Sequence, residues 1–238
     1  MAPAEAASVR AYRDAPVPAR GTPWREVTFS VIDFETTGLD PSRDEIISFA
    51  GVTVSGGRVS LADSSYELVR PRRMPAPETI RIHGLRESDL AEAPSVLELR
   101  DGLLEILTAR AVVAHVAAVE RGFLEAALST FGLELRNPVV DTAALDLELR
   151  RLRGLPQSEA EPVGLSNLAH SLGLPVHRPH HADGDALTTA QAFIALATHL
   201  EAFGVGTLGQ LERLSAPRRE RASLPAALRG LLARFGRR

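Results

Sequence analysis

Hydrophobic and polar positions divide this chain into an early block of strands and a later alternation of helices and short strands. The apolar run Val27-Thr28-Phe29-Ser30-Val31-Ile32 predicts a strand over residues 27–34. Two more strands are predicted over 45–54 and 58–70, with Gly56-Gly57 between them as a hairpin turn. Val96, Leu99, Leu103, Leu104 and Leu107 then recur at helical spacing. A short strand follows over about 111–115, a helix over 118–131, a strand over 138–141 and a helix over 142–152. Residues 153–163, rich in Gly, Pro and Glu, read as a loop. A short helix over 164–172 ends at Gly173, and a large helix occupies 184–200. Three strands followed by helix–strand–helix–strand–helix predicts an α/β fold, a five-stranded mixed sheet flanked by helices.

The same pattern sets the expected domains. Residues 1–25, rich in Ala, Pro and Arg without periodicity, read as a disordered N-terminal segment. Residues 26–203 read as one folded domain. Residues 204–238 read as a basic helical tail, with Leu224, Leu228, Leu231 and Leu232 at helical spacing among Arg residues. That tail fits a helix packed on the domain, a partner-binding helix or a nucleic acid contact.

Composition narrows the chemistry. The chain has 238 residues, 45% hydrophobic and 24% charged, enough for one substantial core. It has no Cys, which excludes disulfides, Cys-zinc sites and thiol catalysis. No apolar run reaches the ~20 residues of a membrane span, and the N-terminus lacks a signal-peptide core. The expectation is a cytoplasmic protein with no membrane partner. All 27 basic residues are Arg. Any side-chain cation that meets a phosphate is therefore a guanidinium, which binds bidentately. The net charge of −3 is uneven: residues 216–238 hold seven Arg and one Glu, +6, which leaves −9 on residues 1–215. An acidic body with a basic tail suits a protein whose tail meets a nucleic acid backbone.

The hexapeptide Asp33-Phe34-Glu35-Thr36-Thr37-Gly38 ends the first apolar strand. Asp33 and Glu35, at i and i+2, share one face of a strand. Two like charges there repel unless a cation lies between them, and hard divalent cations take oxygen ligands. Thr36-Thr37-Gly38 supplies small side chains and exposed backbone N–H groups suited to a phosphate or sugar. The plain reading of an isolated Asp-x-Glu is a solvated strand end.

This D-x-E-T-T-G resembles the first motif of the DEDDh family, 3′–5′ exonucleases of ribonuclease H-like fold. The run His180-His181-Ala182-Asp183-Gly184-Asp185-Ala186-Leu187-Thr188-Thr189-Ala190 resembles the family's last motif, H-x-A-x-x-D-A-x-x-T-A. In that register His180 is the general base and Asp185 the last metal carboxylate, placed in the first turn of a helix where the macrodipole favours it. Imidazole suits proton abstraction near neutral pH. Asp183 stands where the family is usually apolar and fits a helix cap. The middle motif departs. Against H-N-x-x-F-D stands His115-Val116-Ala117-Ala118-Val119-Glu120, so Val116, Val119 and Glu120 replace Asn, Phe and Asp. Glu120 keeps the charge on an arm about 1.5 Å longer; the bland alternative is a solvated surface Glu.

Ile80-Arg81-Ile82-His83-Gly84-Leu85 and Val140-Asp141-Thr142 resemble two further family segments, with His83 a structural or substrate-side loop residue and Asp141 a helix cap. The resemblance spans residues 24–200 and implies a metal-dependent 3′–5′ exonuclease of DNA or RNA that releases nucleoside 5′-monophosphates. It implies two divalent ions, Mg²⁺ or Mn²⁺, held by Asp33, Glu35, Asp185 and Glu120. It places Thr36, Thr37, Gly38, Leu39 and His115 against the substrate, with Leu39 as a wedge against the last base. The implied partners are a nucleic acid with a free 3′ end and a DNA polymerase. The altered middle motif keeps a second reading open, a weak or inactive module of the same fold that binds nucleic acid or a polymerase.

Overall fold

The computed structural model describes residues 6–155 and 163–216. In chain order these form α1 (Ala7–Asp14), a 3₁₀ turn (Trp24–Glu26), β1 (Phe29–Thr36), β2 (Ile46–Ser55), β3 (Arg58–Leu68), α2 (Pro77–His83), α3 (Glu87–Leu90) and α4 (Arg100–Leu107). Then come β4 (Ala111–Ala114), α5 (Ala117–Thr130), β5 (Val139–Asp141), α6 (Thr142–Leu152), α7 (Leu165–Ser171), α8 (Ala182–Glu201) and α9 (Leu208–Ser215). The five strands make one mixed sheet in the order β3-β2-β1-β4-β5. The β1–β2 and β2–β3 pairs are antiparallel, joined by the Gly56-Gly57 turn with both glycines at positive φ. The β1–β4 and β4–β5 pairs are parallel, so each needs the helical crossover that α4 and α5 supply.

Alternation along β1 decides what lies on each face. Phe29 and Val31 join Ala50, Val52 and Val54 of β2 under α8. The helix meets them with Ala186, Ala190, Phe193 and Ala197, all fully buried. Three alanines in that stripe let α8 lie close to the sheet, which brings its first turn to the end of β1. On the opposite face Ile32, Phe34 and Phe49 pack with Leu103, Leu104 and Leu107 of α4 and Phe123, Leu124 and Leu128 of α5. Among the described residues no helix is long and apolar enough to cross a membrane.

The chain ends correct two expectations. Within residues 1–25, helix α1 buries Val9 and Tyr12 against the α4 side of the core. The Tyr12 hydroxyl donates to Asn137 Oδ1 at 2.8 Å. Trp24 is 1% exposed, packs edge-on to Phe193 at 5.7 Å, and donates from Nε1 to Glu201 at 2.7 Å, while Arg25 lies over its ring. Two apolar positions at i and i+3 are enough to dock a short helix, too few to show as periodicity. At the other end, α9 is part of the domain. Leu208 and Leu211 are fully buried, and Pro23 bridges Thr207. The basic tail proper, residues 217–238, lies outside the described residues, as do 156–162 of the predicted loop.

Candidate active site

Parallel pairing of β1 with β4 ends at Val31, and β1 continues past it to Thr36. Asp33 and Glu35 therefore stand on the α8 face beyond the apolar part of the strand. Their partners on β2 are the small residues Ala50 and Ser48, which leaves space above them. Asp185 enters this space from the first turn of α8. One carboxylate oxygen each from Asp33, Glu35 and Asp185 lies within 4.8 Å of the others.

Glu120 completes the group from the first turn of α5. It is 9% exposed, not solvated, and its Oε2 has no partner among the described residues. The Phe34 backbone N–H donates to this carboxylate from the edge that β4 leaves free. The four acids repel one another, with Glu120 buried and Asp33, Glu35 and Asp185 half-buried. Burial first, then Glu120, Asp185 and Glu35, hold the Asp33 carboxyl well above its ordinary range. Burial and then Asp185 push Glu35 up to about 8. Burial and then Glu35 push Glu120 up to about 8, against the Phe34 N–H and with Asp185 adding. Burial also raises Asp185, although His180 opposes it. A half-buried acid cluster with an orphaned oxygen and no guanidinium among these causes is a donor set for hard divalent cations.

The loop before α8 carries the histidines. His180 sits in the left-handed region (φ +61°), and its backbone N–H donates to Asp185 Oδ2 at 3.0 Å. With Pro179, Asp185, Gly164, Leu165, Ser166 and Asn167 it lines a cleft of about 180 Å³. His181 stands at the N-cap of α8, near both His83 and Asp185; burial and then His181 lower the His83 pKa. His83 is itself buried, with Nδ1 accepting from the Leu85 N–H at 3.0 Å, while its Nε2 has no partner among the described residues. Asp183 is not the cap; it lies inside α8 and pairs with Arg178 at 2.7 Å. Gly184, which sequence reasoning passed over, is where the 177–180 loop presses on α8. A Cβ there would collide with the carbonyls of His177 and Arg178.

In the strand-end turn, Thr37 N–H donates to the Glu45 carbonyl and Glu45 N–H to Thr37 Oγ1, while Thr36 Oγ1 donates to the Gly38 carbonyl. A side chain at Gly38 would strike the Asp44 carboxylate. Thr36, Thr37, Gly38 and Leu39 are all partly exposed beside the carboxylates. His115 does not join them. Its Nε2 meets the Val163 carbonyl at 3.0 Å and its Nδ1 meets Thr142 Oγ1 at 2.9 Å. Burial pushes its pKa down to about 4, so the ring is neutral; a carbonyl only accepts, so Nε2 carries the proton. The expected substrate contact is instead a tether that holds Val163, next to the cleft residue Gly164. Asp141 does cap α6, through the Ala143 N–H at 2.9 Å, and the same Oδ1 accepts from Val116 N–H at 3.1 Å.

Comparison with known proteins agrees with this geometry. An exonuclease family model, RNase_T, matches residues 30–193. A DNA polymerase III PolC-type protein of Thermotoga maritima is 33% identical over 190 residues, 79% of this chain and 13% of its own length. A DNA polymerase III subunit epsilon-like protein of Rhodobacter capsulatus is 35% identical over 79% of this chain and 26% of its own. This chain thus spans only a small part of those relatives. It covers 89% of the DNA polymerase III subunit epsilon of Aquifex aeolicus, at 31% identity over 79% of this chain. Among solved structures, Exonuclease X in complex with 5′ overhanging duplex DNA superposes with a TM-score of 0.60 at 24% identity, over 79% of this chain and 99% of that one. A five-stranded mixed sheet with this acid cluster at its centre, matched over most of its length by the exonuclease model, makes the chain a member of the DEDD-type 3′–5′ exonuclease family, of ribonuclease H-like fold.

Proposed function

We propose that this chain is a divalent-metal-dependent 3′–5′ exonuclease that hydrolyses the terminal phosphodiester of DNA and releases nucleoside 5′-monophosphates. The observation that carries the reading is the convergence of Asp33, Glu35 and Asp185 within 4.8 Å, beside the buried, unpartnered Oε2 of Glu120. Asp33, Glu35 and Asp185 would hold one ion, and Asp33 with Glu120 a second. Bound ions would offset the four negative charges and supply Lewis acidity toward the phosphate.

The protein's own groups do the rest. His180, open to the cleft beside Asp185, takes the proton of the attacking water on an imidazole nitrogen. Its N–H bond to Asp185 fixes the loop that presents the ring. The turn at Thr36, Thr37 and Gly38 approaches the terminal nucleotide through its backbone, and Leu39 wedges against the last base. The names of the relatives favour DNA over RNA and a DNA polymerase as partner. A weak or inactive module remains the second reading because Glu120 stands where the family has Asp. The burial of Glu120 among the other three acids argues for a working site.

The test is product analysis. Single-stranded DNA incubated with the protein and Mg²⁺ should yield mononucleotides carrying a 5′ phosphate, shortened from the 3′ end. Release of 3′-phosphorylated products, or shortening from the 5′ end, would reject the reading.

A further inference from the structure

Helix α9 runs along the β5 side of the sheet from one end to the other. At its start the Leu208 N–H donates to the Thr22 carbonyl and Pro23 bridges Thr207, both beside the segment that leads into β1. At its finish Ser215 Oγ accepts from the Asp141 N–H at 2.8 Å, on the side of β5 away from β4. Register places that finish at the acid end of the sheet. Val31, Val113 and Val140 form one row across β1, β4 and β5. Two residues beyond it β1 reaches Asp33, and one residue beyond it β5 reaches Asp141. Leu208 and Leu211 pack in the core under α8, so α9 also shares the face from which Asp185 enters. Three strand spacings separate β1 from the flank of β5 that holds Ser215, on the order of 15 Å. Arg213, in the last turn of α9, is exposed.

The sequence that follows Ser215 is strongly basic. Residues 216–238 carry seven Arg against one Glu, and Arg218, Arg219 and Arg221 come within six residues of Ser215. Six residues of chain span at most about 20 Å. These guanidinium groups are therefore tethered within reach of the carboxylate end of the sheet. We propose that this arginine segment is a second substrate contact, in which Arg218, Arg219 and Arg221 hold phosphates of the single strand just behind its 3′ end while the terminal phosphodiester lies at the carboxylates. The inference rests on the exonuclease reading above and adds to it a contact outside the acid cluster. Its physical reason is charge balance. Residues 1–215 carry −9, which repels a polyanion, and bound ions would offset only the centre. The chain has no Lys, so the attraction must come from Arg. Guanidinium groups anchored beside the site supply it by releasing counterions from the strand, whatever the base sequence. A nucleic acid is favoured over a protein as the occupant because α9 delivers these charges to the end of the sheet where the proposed reaction brings a polyanion.

The experiment measures equilibrium binding of single-stranded DNA in Ca²⁺ as a function of salt, always with the full chain. The wild type is compared with the triple variant Arg218→Gln, Arg219→Gln, Arg221→Gln and with the triple variant Arg218→Lys, Arg219→Lys, Arg221→Lys. The plot of log affinity against log salt should lose about 2 units of slope in the Gln variant, roughly 0.7 for each phosphate contact removed. At about 0.1 M salt that amounts to ~10²-fold weaker binding, and the gap should close toward roughly 1 M. The Lys variant, which keeps the charge, should keep most of the slope, and both variants should melt with the wild type. Neutral methylphosphonate linkages near the 3′ end should weaken wild-type binding by a similar factor and cost the Gln variant nothing more, because both changes delete the same contacts. The same linkages at the far 5′ end of a long strand should cost the wild type and the Gln variant alike. Unchanged affinity and slope in the Gln variant would overturn the inference and leave the exonuclease reading intact. Tighter binding by that variant would also overturn it, since the segment would then cover the site in place of substrate. Loss of binding to a DNA polymerase with DNA affinity kept would overturn it in favour of a protein partner. A wild type that neither binds nor cleaves DNA would overturn the exonuclease reading, and the inference with it.

Discussion

His180 donates its backbone N–H to Oδ2 of Asp185 at 3.0 Å, which ties the proposed general base to a proposed metal carboxylate. Gly184 makes this possible, because the carbonyls of His177 and Arg178 occupy the space a side chain would need. Gly184→Ala should push the loop outward. A displacement near 1 Å costs on the order of 10²-fold in rate, and crowding a packed site costs about 1–3 kcal/mol of stability. Gly102→Ala, in α4 with nothing near the added carbon, should instead stabilise by roughly 0.5–1 kcal/mol through helix propensity. Nuclease rates and urea unfolding of both variants check this. Equal effects would mean that Gly184 is not a close-contact position.

Val116 occupies the left-handed region, φ +57° and ψ 52°, at the start of α5. A β-branched residue is strained there, whereas Asn tolerates the conformation. The strain is bearable because Asp141 holds the Val116 N–H. Val116→Asn should raise stability by about 1 kcal/mol, seen as a higher melting temperature. A lower melting temperature would mean that the half-buried valine contributes more through packing than it costs in backbone.

Stability without metal should depend on pH through Glu35 and Glu120. Both are pushed from 4.5 to about 8, chiefly by burial. A raised folded-state pKa favours the protonated acid, so the contribution is full below pH 4.5 and lost as pH rises toward about 8. In EDTA the melting temperature of the wild type should fall across that window relative to Glu35→Gln and Glu120→Gln. Mg²⁺ should restore more stability at the upper end than at the lower. Parallel curves for wild type and variants would contradict the mutual repulsion of the site.

Glu120 reaches the site on an arm one methylene longer than an Asp would have, and Phe34 N–H pins it there. A carboxylate misplaced for the second ion predicts low activity with Mg²⁺ and partial rescue by Mn²⁺, which generally binds such sites more tightly. Glu120→Ala should lower the rate with either ion. Rates and metal affinity untouched by that change would remove Glu120 from the site.

Much of this site was legible because strand alternation is a local rule. Asp33 and Glu35 announce a shared face by sequence spacing alone, whereas Asp185 was implied only by the resemblance of residues 180–190 to the family's last motif. The sheet was legible for the same reason. What escaped depends on contacts far apart in the chain. Helix α1 is held by Tyr12 meeting Asn137, 125 residues away. His115 is held by Thr142 and Val163, 27 and 48 residues further along the chain. The resemblance supplied the role of His180, and the structure adds that His180 lines the cleft with Asp185.

The central claim is that Asp33, Glu35 and Asp185 hold the ions that drive hydrolysis at the 3′ end. The most direct measurement is digestion of 5′-labelled single-stranded DNA with a divalent-ion titration, for the wild type, Asp33→Asn and Asp185→Asn. The wild type should produce a ladder that depends on Mg²⁺ or Mn²⁺ and vanishes in EDTA. Both variants should remain folded and lose hydrolysis by at least ~10²-fold. Ladders of equal rate in either variant, or digestion by the wild type that persists in EDTA, would contradict the account.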